Sequence, residues 1–497
     1  MTAVLATYDP APLLTAASEL MLTAATGPGD SAAIGVPVAG TGDPPSSIGL
    51  GRAELEAAGF TGAVGQTLVV PGRPLVVAYG TGDGLTVHDL RTAAAGVARA
   101  ARAQPSLAFQ LPSDGPADVA GAAQAVVEGI LLARYGFDQL RATPKRAAVT
   151  GITIVSDAAA VDAVRAGAER GRLFATVGGI ARDLANSPHS HLDAAALADL
   201  ATRYGPDYGL TVEVFDKDDL VALGCGGLLG VNAGSAAPPR MIKLSYTPTG
   251  TPTGHLGLVG KGVMYDSGGL AVKPGDEVHA QMKNDMSGAA AVFAAMHALR
   301  SLECPAKVTA WLMCTDNMPS GTAMALGDVI TIRGGTTVEV INTDAEGRLV
   351  MADALVLATE EGVDAIVDIA TLTGACMRAL GTQLAGVIGN DAALVGQVKA
   401  AAVATDEPVW ELPLEPRYRT EIESTTADLR NLGGANAGAL TAGLFLAEFV
   451  GGTPWAHIDI AGTAQSNGDA GWYTAGCTGF GARLLLELAL GFDGNAT

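Results

Sequence analysis

A chain of 497 residues in which 48% of the side chains are hydrophobic is long enough for two or three domains, each with its own core. Its 51 acidic and 30 basic residues give a net charge of −21, which repels phosphate backbones and anionic lipid surfaces. Nucleic acid is therefore an unlikely partner. The five cysteines show no CxxC spacing, and the first residues lack the basic segment of a signal peptide, so we expect a cytoplasmic protein without a membrane anchor.

The first 155 residues alternate short apolar runs with alanine-rich stretches. Runs at 67–70, 75–78 and 147–155 predict strands, and residues 90–103 predict a helix. This alternation predicts a smaller N-terminal α/β domain over residues 1–155. The helical pattern that follows over residues 156–187 stops before Pro188, and it predicts a helix that links two domains.

Beyond Pro188 the alternation becomes regular, which predicts a catalytic domain over residues 188–497. The predicted strands are 211–215, 241–246, 255–259, 307–314, 329–333, 337–341 and 365–369, and the predicted helices are 288–300 and 351–360. Such alternation predicts an α/β fold with a central mixed, mostly parallel sheet covered by helices. Ligands of these sheets bind outside the carboxyl ends of the strands.

A Gly-rich segment after one of these strands carries a carboxylate, Asp266, between two lysines, Lys261 and Lys273. Its Gly-Lys-Gly sequence is similar to part of a phosphate-binding loop. However, His255 stands where that loop needs glycine, and Gly262 replaces the Ser or Thr that would bind magnesium. We therefore interpret the segment as a loop that presents charged side chains at the sheet edge, with two solvated lysines as the alternative.

Three more carboxylates follow predicted strands. Asp285 precedes a predicted helix, where capping is its alternative role. Asp344 and Glu346 are two positions apart, so an extended chain would point both to one side, with Arg348 two residues further on. An acidic loop with a local ion pair is the alternative interpretation. Close like charges require a cation or a proton, and together with Asp266 these carboxylates suit one or two divalent ions.

Six further sequence blocks occur in order across residues 256–485: GKGVMYDSGG, KPGDEVHAQMKNDMSGAA, DNMPSG, NTDAEGRL, DIATLTGA and WAHIDIAGT with TGFGARLL. Through these blocks the C-terminal two-thirds of the chain resembles a known family, the leucyl (cytosol) aminopeptidases. The resemblance implies a hydrolase that removes the N-terminal residue from short peptides through a water activated by two divalent ions. The ions would be Mn or Zn, with Co or Mg as alternatives. A homohexamer is also implied.

The resemblance assigns metal ligands one residue at a time. Lys261, Asp266, Asp285 and Glu346 would bind the tighter ion. Asp266, Asp344 and Glu346 would bind the more exchangeable one. Asp266 and Glu346 would therefore bridge the two ions.

It also implies catalytic and substrate-binding residues. Lys273 would polarise the scissile carbonyl, and Arg348 would hold a bicarbonate ion that serves as general base. The positions that would line the pocket for the first side chain and hold the peptide backbone are Met282, Thr371, Leu372, Thr373 and Gly374.

Two other functions remain open. A different two-metal hydrolase, such as a phosphoesterase, is disfavoured because the lysine-bearing segment and the charge of −21 suit an amine better than an anion. A DNA-binding or structural hexamer of the same family, with catalysis secondary, would need a local basic groove. We expect structural roles for His189, His191 and His457.

Overall fold

The computed structural model describes residues 8–16, 20–143 and 147–496. The described chain divides into two compact units. The first unit consists of Pro12–Gly179 and Ser466–Gly476, and the second contains Ile180–Gln465 and the residues from Cys477 onward. The two-domain α/β fold predicted from the sequence is confirmed, whereas the predicted boundaries at residues 155 and 187 stay a prediction.

The first unit is built on one six-stranded sheet. Its strands are β1 Met21–Ala25, β2 Ala33–Ala39, β3 Thr67–Val70, β4 Leu75–Gly82, β5 Ser106–Gln110 and β6 Gly151–Val155. Its helices are α1 Leu13–Ala16, α2 Arg52–Ala57, α3 Val87–Ala100 and α4 Val119–Arg134, and α5 Val161–Asn186 continues into the second unit. The strand order is β1-β6-β5-β2-β4-β3, and only β3 runs antiparallel to its neighbour.

Local chemistry explains the helices that cover this sheet. Thr86 caps α3 by accepting a hydrogen bond from the backbone N–H of Asp89, and Asp118 caps α4 in the same way. Strand β5 buries three consecutive residues, Leu107, Ala108 and Phe109, as expected of a parallel strand covered on both faces. Helix α5 ends two residues before Pro188, as the sequence predicts.

The second unit contains the other elements. Its helices are α6 Ala194–Tyr204, α7 Lys217–Leu223, α8 Gly226–Asn232, α9 Glu277–Ala280, α10 Ser287–Met296, α11 Gly347–Glu361, α12 Gly374–Leu380, α13 Ala392–Thr405, α14 Gly438–Ala447 and α15 Ala482–Leu490. Its strands are β7 Thr211–Phe215, β8 Arg240–Tyr246, β9 His255–Asp266, β10 Lys307–Asn317, β11 Val329–Thr331, β12 Thr337–Glu339, β13 Ala365–Ala370, β14 Ala385–Gly389, β15 Val409–Glu411, β16 Leu429–Arg430 and β17 Trp455–Asp459. The two-residue strands β18 Gln465–Ser466 and β19 Gly476–Cys477 flank the segment assigned to the first unit.

Eight of these strands form a mixed sheet in the order β15-β14-β17-β13-β9-β10-β8-β7. The central four, β17, β13, β9 and β10, are parallel to one another. Their carboxyl ends therefore meet at one edge, where Asp266 pairs with Asn317 and Ala370 pairs with Asp459. This edge gathers the polar side chains that the sequence places after strands.

Several predicted boundaries differ from the structure, and two of these differences affect the polar residues at the sheet edge. The segment from Gly260 to Asp266 was predicted as a loop, but it continues β9, because it pairs with β10 as far as Asn317 through a local register shift. Helix α11 begins at Gly347, four residues before the predicted start, and therefore includes Arg348 in its first turn. Among the described residues, no helix combines the length and hydrophobicity needed to cross a membrane.

Candidate metal centre

Lys261 lies at the centre of a buried charged cluster. Its ammonium nitrogen is 2.8 Å from the carboxylate of Asp285, 2.9 Å from that of Glu346 and 2.9 Å from the carbonyl oxygen of Thr371. Burial alone would lower the pKa of Lys261, but the charges of Asp285 and Glu346 outweigh it and raise the pKa well above its usual value. The side chain passes so close to Gly347 that a Cβ there would lie 2.7 Å from the ammonium nitrogen.

The second lysine holds the other pair of carboxylates. The ammonium nitrogen of Lys273 is 2.7 Å from Asp266 and 2.5 Å from Asp344. Burial and the neighbouring Glu346 raise the pKa of Asp266 to about 6, although both lysines oppose this shift. The ligand oxygens of Asp266, Asp344 and Glu346 lie within 4.8 Å of one another, close enough to surround a cation. Asp266 and Glu346 are buried, whereas Asp344 is exposed.

The local geometry differs from two of our expectations. Asp344 and Glu346 do not lie in extended chain: Glu346 has helical backbone angles, φ −75° and ψ −35°, at the start of α11. Their carboxylates converge because the chain turns between them. Asp285 does not cap the following helix, since Met286 occupies the capping position. It accepts hydrogen bonds from Lys261 and from the Thr371 hydroxyl instead, at 2.8 Å each.

Arg348 is buried beside this cluster, and not all of its N–H groups have a hydrogen-bond partner among the described residues. Its side chain lies in the first turn of α11 and is 4% exposed, and its Nε and Nη1 groups donate no hydrogen bond among the described residues. Burial lowers the pKa of Arg348 to about 10, against the opposing effects of Glu346 and Asp459. Because unpaired buried N–H groups of a cation are costly, this position favours a bound anion.

The predicted substrate-binding residues lie on two short segments. Met282 is half-buried and is the first residue of the turn Met282–Asn284, which is followed directly by Asp285. Thr371, Leu372, Thr373 and Gly374 follow β13, and the Thr373 hydroxyl caps α12 through the backbone N–H of Cys376. This turn contacts the charged cluster through Thr371. The Thr371 carbonyl oxygen accepts a hydrogen bond from Lys261, and the Thr371 hydroxyl donates one to Asp285.

Two further residues organise the site and were missed in the sequence. The Asn317 amide donates hydrogen bonds to Asp266 at 2.8 Å and to the carbonyl oxygen of Thr343 at 2.9 Å. Asp459 accepts hydrogen bonds from the backbone of Leu372 and Thr373, at 3.3 Å each, and from the Thr373 hydroxyl at 2.7 Å. Both end strands of the sheet, at the edge where ligands bind, and that position was the available signal.

The histidines have structural partners. His189 lies 2.9 Å from Asp316 and His457 lies 2.6 Å from the buried Asp368, while His191 packs edge-on against Tyr8. The structural roles expected of them from the sequence stay a prediction.

The donor set fits divalent ions together with an anion. Four carboxylates face only two ammonium groups, which leaves an excess of negative charge at a mostly buried site. Oxygen-rich sites of this kind bind Mn, Zn, Co or Mg, and the unpaired N–H groups of Arg348 offer a place for an anion. The fold and the site thus define a class: α/β proteins that hold divalent ions at the carboxyl edge of a central sheet.

Comparison with known proteins identifies the family. Residues 179–486 match the catalytic domain of the cytosol aminopeptidase family, and residues 48–144 match its N-terminal domain. The chain is 42% identical to a probable cytosol aminopeptidase of Streptomyces coelicolor, over 95% of this chain and 98% of the relative. It is 44% identical to one of Streptomyces avermitilis, over 88% of each.

Solved structures agree with this relationship. The bottromycin maturation enzyme BotP in complex with Mn has a TM-score of 0.85 and 36% identity, covering 93% of this chain and 99% of that one. A tomato leucine aminopeptidase mutant has a TM-score of 0.85 and 28% identity, covering 95% and 96%. The chain therefore belongs to the cytosol aminopeptidase family and is a peptidase, as the sequence resemblance predicted.

Proposed function

We propose that this protein is a metal-dependent aminopeptidase that releases the N-terminal residue of short peptides with the help of two divalent ions per subunit. The observation that carries the proposal is the convergence of Asp266, Asp344 and Glu346 within 4.8 Å. The similarity to BotP, whose structure holds Mn, supports Mn as one of the ions, and Zn, Co and Mg suit the same oxygens.

We assign the residues that would hold the ions from the family resemblance, and the contacts within the cluster support this assignment. Lys261, Asp266, Asp285 and Glu346 would form the tighter site, and Asp266, Asp344 and Glu346 the exchangeable one. When bound, the ions would lower the pKa of water towards neutrality and polarise the scissile carbonyl. Lys261 can act as a ligand only without its proton. Its buried position between two carboxylates keeps it protonated until a cation replaces that charge.

Lys273 and Arg348 would act on the substrate side. The Lys273 ammonium is partly exposed beside Asp266 and Asp344. Burial would lower its pKa, but the charges of Asp266 and Glu346 outweigh this effect and raise the pKa, so it stays cationic at neutral pH and can donate a hydrogen bond to the developing oxyanion. Arg348 would hold bicarbonate through its free N–H groups, and the bicarbonate would take a proton from the attacking water.

Met282 and the turn from Thr371 to Gly374 would bind the first residue of the peptide. Asp459 fixes the backbone of that turn, so the turn is preorganised for a substrate. The free α-amine of a peptide, in its neutral form, could bind one of the ions, which would favour cleavage next to the N-terminus over cleavage within a chain. We also propose a cytoplasmic homohexamer, by similarity to the family, to be checked by light scattering of the purified protein.

The test is hydrolysis of leucine, alanine, methionine and arginine p-nitroanilides after chelation and re-addition of Mn²⁺, Zn²⁺, Co²⁺ or Mg²⁺. Glu346→Gln removes one charge from the cluster, and Glu56→Gln makes the same change on an exposed residue of the first unit. We expect metal to restore activity in the wild type and in Glu56→Gln only. A folded wild type without activity in any metal would refute the proposal and return the DNA-binding or structural alternative to consideration.

A further inference from the structure

The first unit contains a cavity of about 490 Å³ that the peptidase reaction does not use. This volume is within the range of small-molecule sites, roughly 300–1,000 Å³. The cavity is lined by residues at the carboxyl ends of β1, β2, β4, β5 and β6, among them Thr26, Ala39, Thr81, Gln110 and Val155. Residues of α3 and α4, including Leu90 and Ala122, also line it.

Its position in the sheet is where α/β proteins bind ligands. Strands β2 and β5 are neighbours, yet the chain leads from β2 outward to β3 and β4 on one side and from β5 outward to β6 on the other. The connections therefore diverge between β2 and β5, which forms a crevice at the carboxyl edge. Pro37 at the end of β2 and Leu111 just after β5 both line the cavity.

One buried polar side chain faces this cavity without a partner. Thr81 is 3% exposed and lines the cavity, and its hydroxyl makes no hydrogen bond to any residue that the structure describes. The Thr81 oxygen is not one of the fully buried side-chain atoms of the described residues that lack a partner, so a molecule in the cavity can reach this hydroxyl and form a hydrogen bond with it. The Gln110 carboxamide is half-buried in the same wall.

The described charges at the cavity have one sign. Among the lining residues that the structure describes, Asp43, Asp114 and Asp157 stand at exposed positions and none is Lys, Arg or His. The Asp157 carboxylate is not used to cap the turn that follows it. The cavity therefore disfavours phosphates and other anions and favours a positively charged ligand.

A metal ion does not fit these carboxylates. Across the described residues, Asp266, Asp344 and Glu346 are the group of three or more His, Cys, Asp or Glu whose ligand atoms converge within 4.8 Å, so the cavity carboxylates are spread more widely. Apolar side chains such as Leu90 and Val119 share the walls between them with polar ones such as Gln110. Separated negative charges with apolar side chains between them match a cation whose charges are separated by methylene groups.

We propose that the cavity of the first unit binds an aliphatic diamine or polyamine. Its methylene chain packs along the apolar walls, one amine reaches the Thr81 hydroxyl, and the ammonium groups pair with Asp114, Asp157 and Asp43 at the rim. This site is separate from the metal centre of the second unit, so ligand binding and peptide hydrolysis can be measured independently.

The test is calorimetric titration of the full chain, saturated with Mn²⁺, with spermidine, 1,4-diaminobutane and 1-aminobutane. We expect saturable binding of spermidine and weaker binding of the monoamine. Asp114→Asn and Asp157→Asn should each weaken spermidine binding roughly tenfold, and Thr81→Val, which keeps the side-chain shape, roughly fivefold. Asp207→Asn, an exposed change of the same charge in the second unit, should leave it unchanged.

Two outcomes would overturn the proposal. One is the absence of saturable spermidine binding by the folded wild type at millimolar concentration. The other is equal weakening by Asp207→Asn and the cavity variants, which would mean non-specific attraction to a protein of net charge −21. Circular dichroism and urea unfolding of the same samples should match the wild type in Thr81→Val, which shows that this variant is folded, and hydrolysis of leucine p-nitroanilide should be unaffected.

Discussion

Replacing Gly347 by alanine tests how strictly the position of Lys261 is set. A Cβ at Gly347 would lie 2.7 Å from the ammonium nitrogen of Lys261, whereas ordinary van der Waals contact begins at 3.4 Å, so the nitrogen must retreat by about 0.7 Å. The side chain is flexible, so the main cost is loss of its contacts with Asp285 and Glu346 at 2.8 and 2.9 Å. Losing one charge-assisted hydrogen bond costs about 1.5–3 kcal/mol in the free energy of unfolding of the metal-free protein.

The same displacement should affect catalysis. A misplacement approaching 1 Å in a catalytic constellation costs about 100-fold in rate, so we expect kcat/KM for leucine p-nitroanilide to fall by roughly that factor. Urea unfolding and Mn²⁺-reconstituted kinetics measure the two effects separately.

Gly396→Ala is the matched control for this substitution. Gly396 lies in α13, and a Cβ there would meet no atom of the described residues within 4 Å, so the free energy of unfolding of this variant should rise by about 0.5–1 kcal/mol and its activity should be unchanged. If a folded Gly347→Ala protein had the same kcat/KM as the wild type, the reasoning would be refuted, because catalysis would then tolerate a displaced Lys261 amine.

Three further predictions follow from other contacts. Asn317→Ala removes the amide that holds Asp266, so Mn²⁺ should bind roughly 10- to 100-fold more weakly in a calorimetric titration, and unchanged affinity would contradict this role. Asp459→Asn should raise KM for leucine p-nitroanilide roughly tenfold by loosening the turn at Thr373, with Mn²⁺ affinity retained; a parallel loss of Mn²⁺ affinity would show instead that the metal cluster is disturbed. Burial lowers the pKa of His297 from 6.5 to about 4, so the unfolded state takes up the proton first and stability falls as the pH drops through this window. Urea unfolding should therefore show a loss of about 2 kcal/mol between pH 7 and 4.5 that is absent in His297→Phe, and equal losses in both proteins would rule out this group as the cause.

The periodicity of apolar residues predicted the bounds of strands well where the local sequence and the tertiary packing favour the same structure. Strand β7 has the predicted bounds, and β13 is one residue longer, because both are short apolar runs bounded by turns. The extension of β9 was missed because glycines within a strand normally indicate a loop or bulge. Here glycine is required by tertiary packing, since a Cβ at Gly260 would lie 2.7 Å from the Cα of Ala289 in α10.

The site was more predictable from residue types than from local geometry. The carboxylates, the two lysines and Arg348 were singled out because such charges are costly unless they share a cation or an ion pair. Their backbone setting was not predictable, since Asp285 turns away from α10 to reach Lys261, a residue distant in the sequence. Asn317 and Asp459 escaped detection because a single amide or carboxylate after a strand is common, and their importance lies in contacts with distant segments.

The eleven residues from Ser466 to Gly476 have a consequence for how this chain can be divided. They pack with the first unit, where Trp472 is buried in its core beneath Arg91 and where Arg99 donates to the carbonyl oxygens of Gly471 and Tyr473. A polypeptide that starts at Ile180 would contain this segment but not the first unit that it packs against. A polypeptide that stops at Gly179 would lack the Trp472 side chain, which is part of the core of the first unit. Exchange of the N-terminal region between relatives therefore requires two coordinated replacements, so recombination at a single junction should yield poorly folded hybrids.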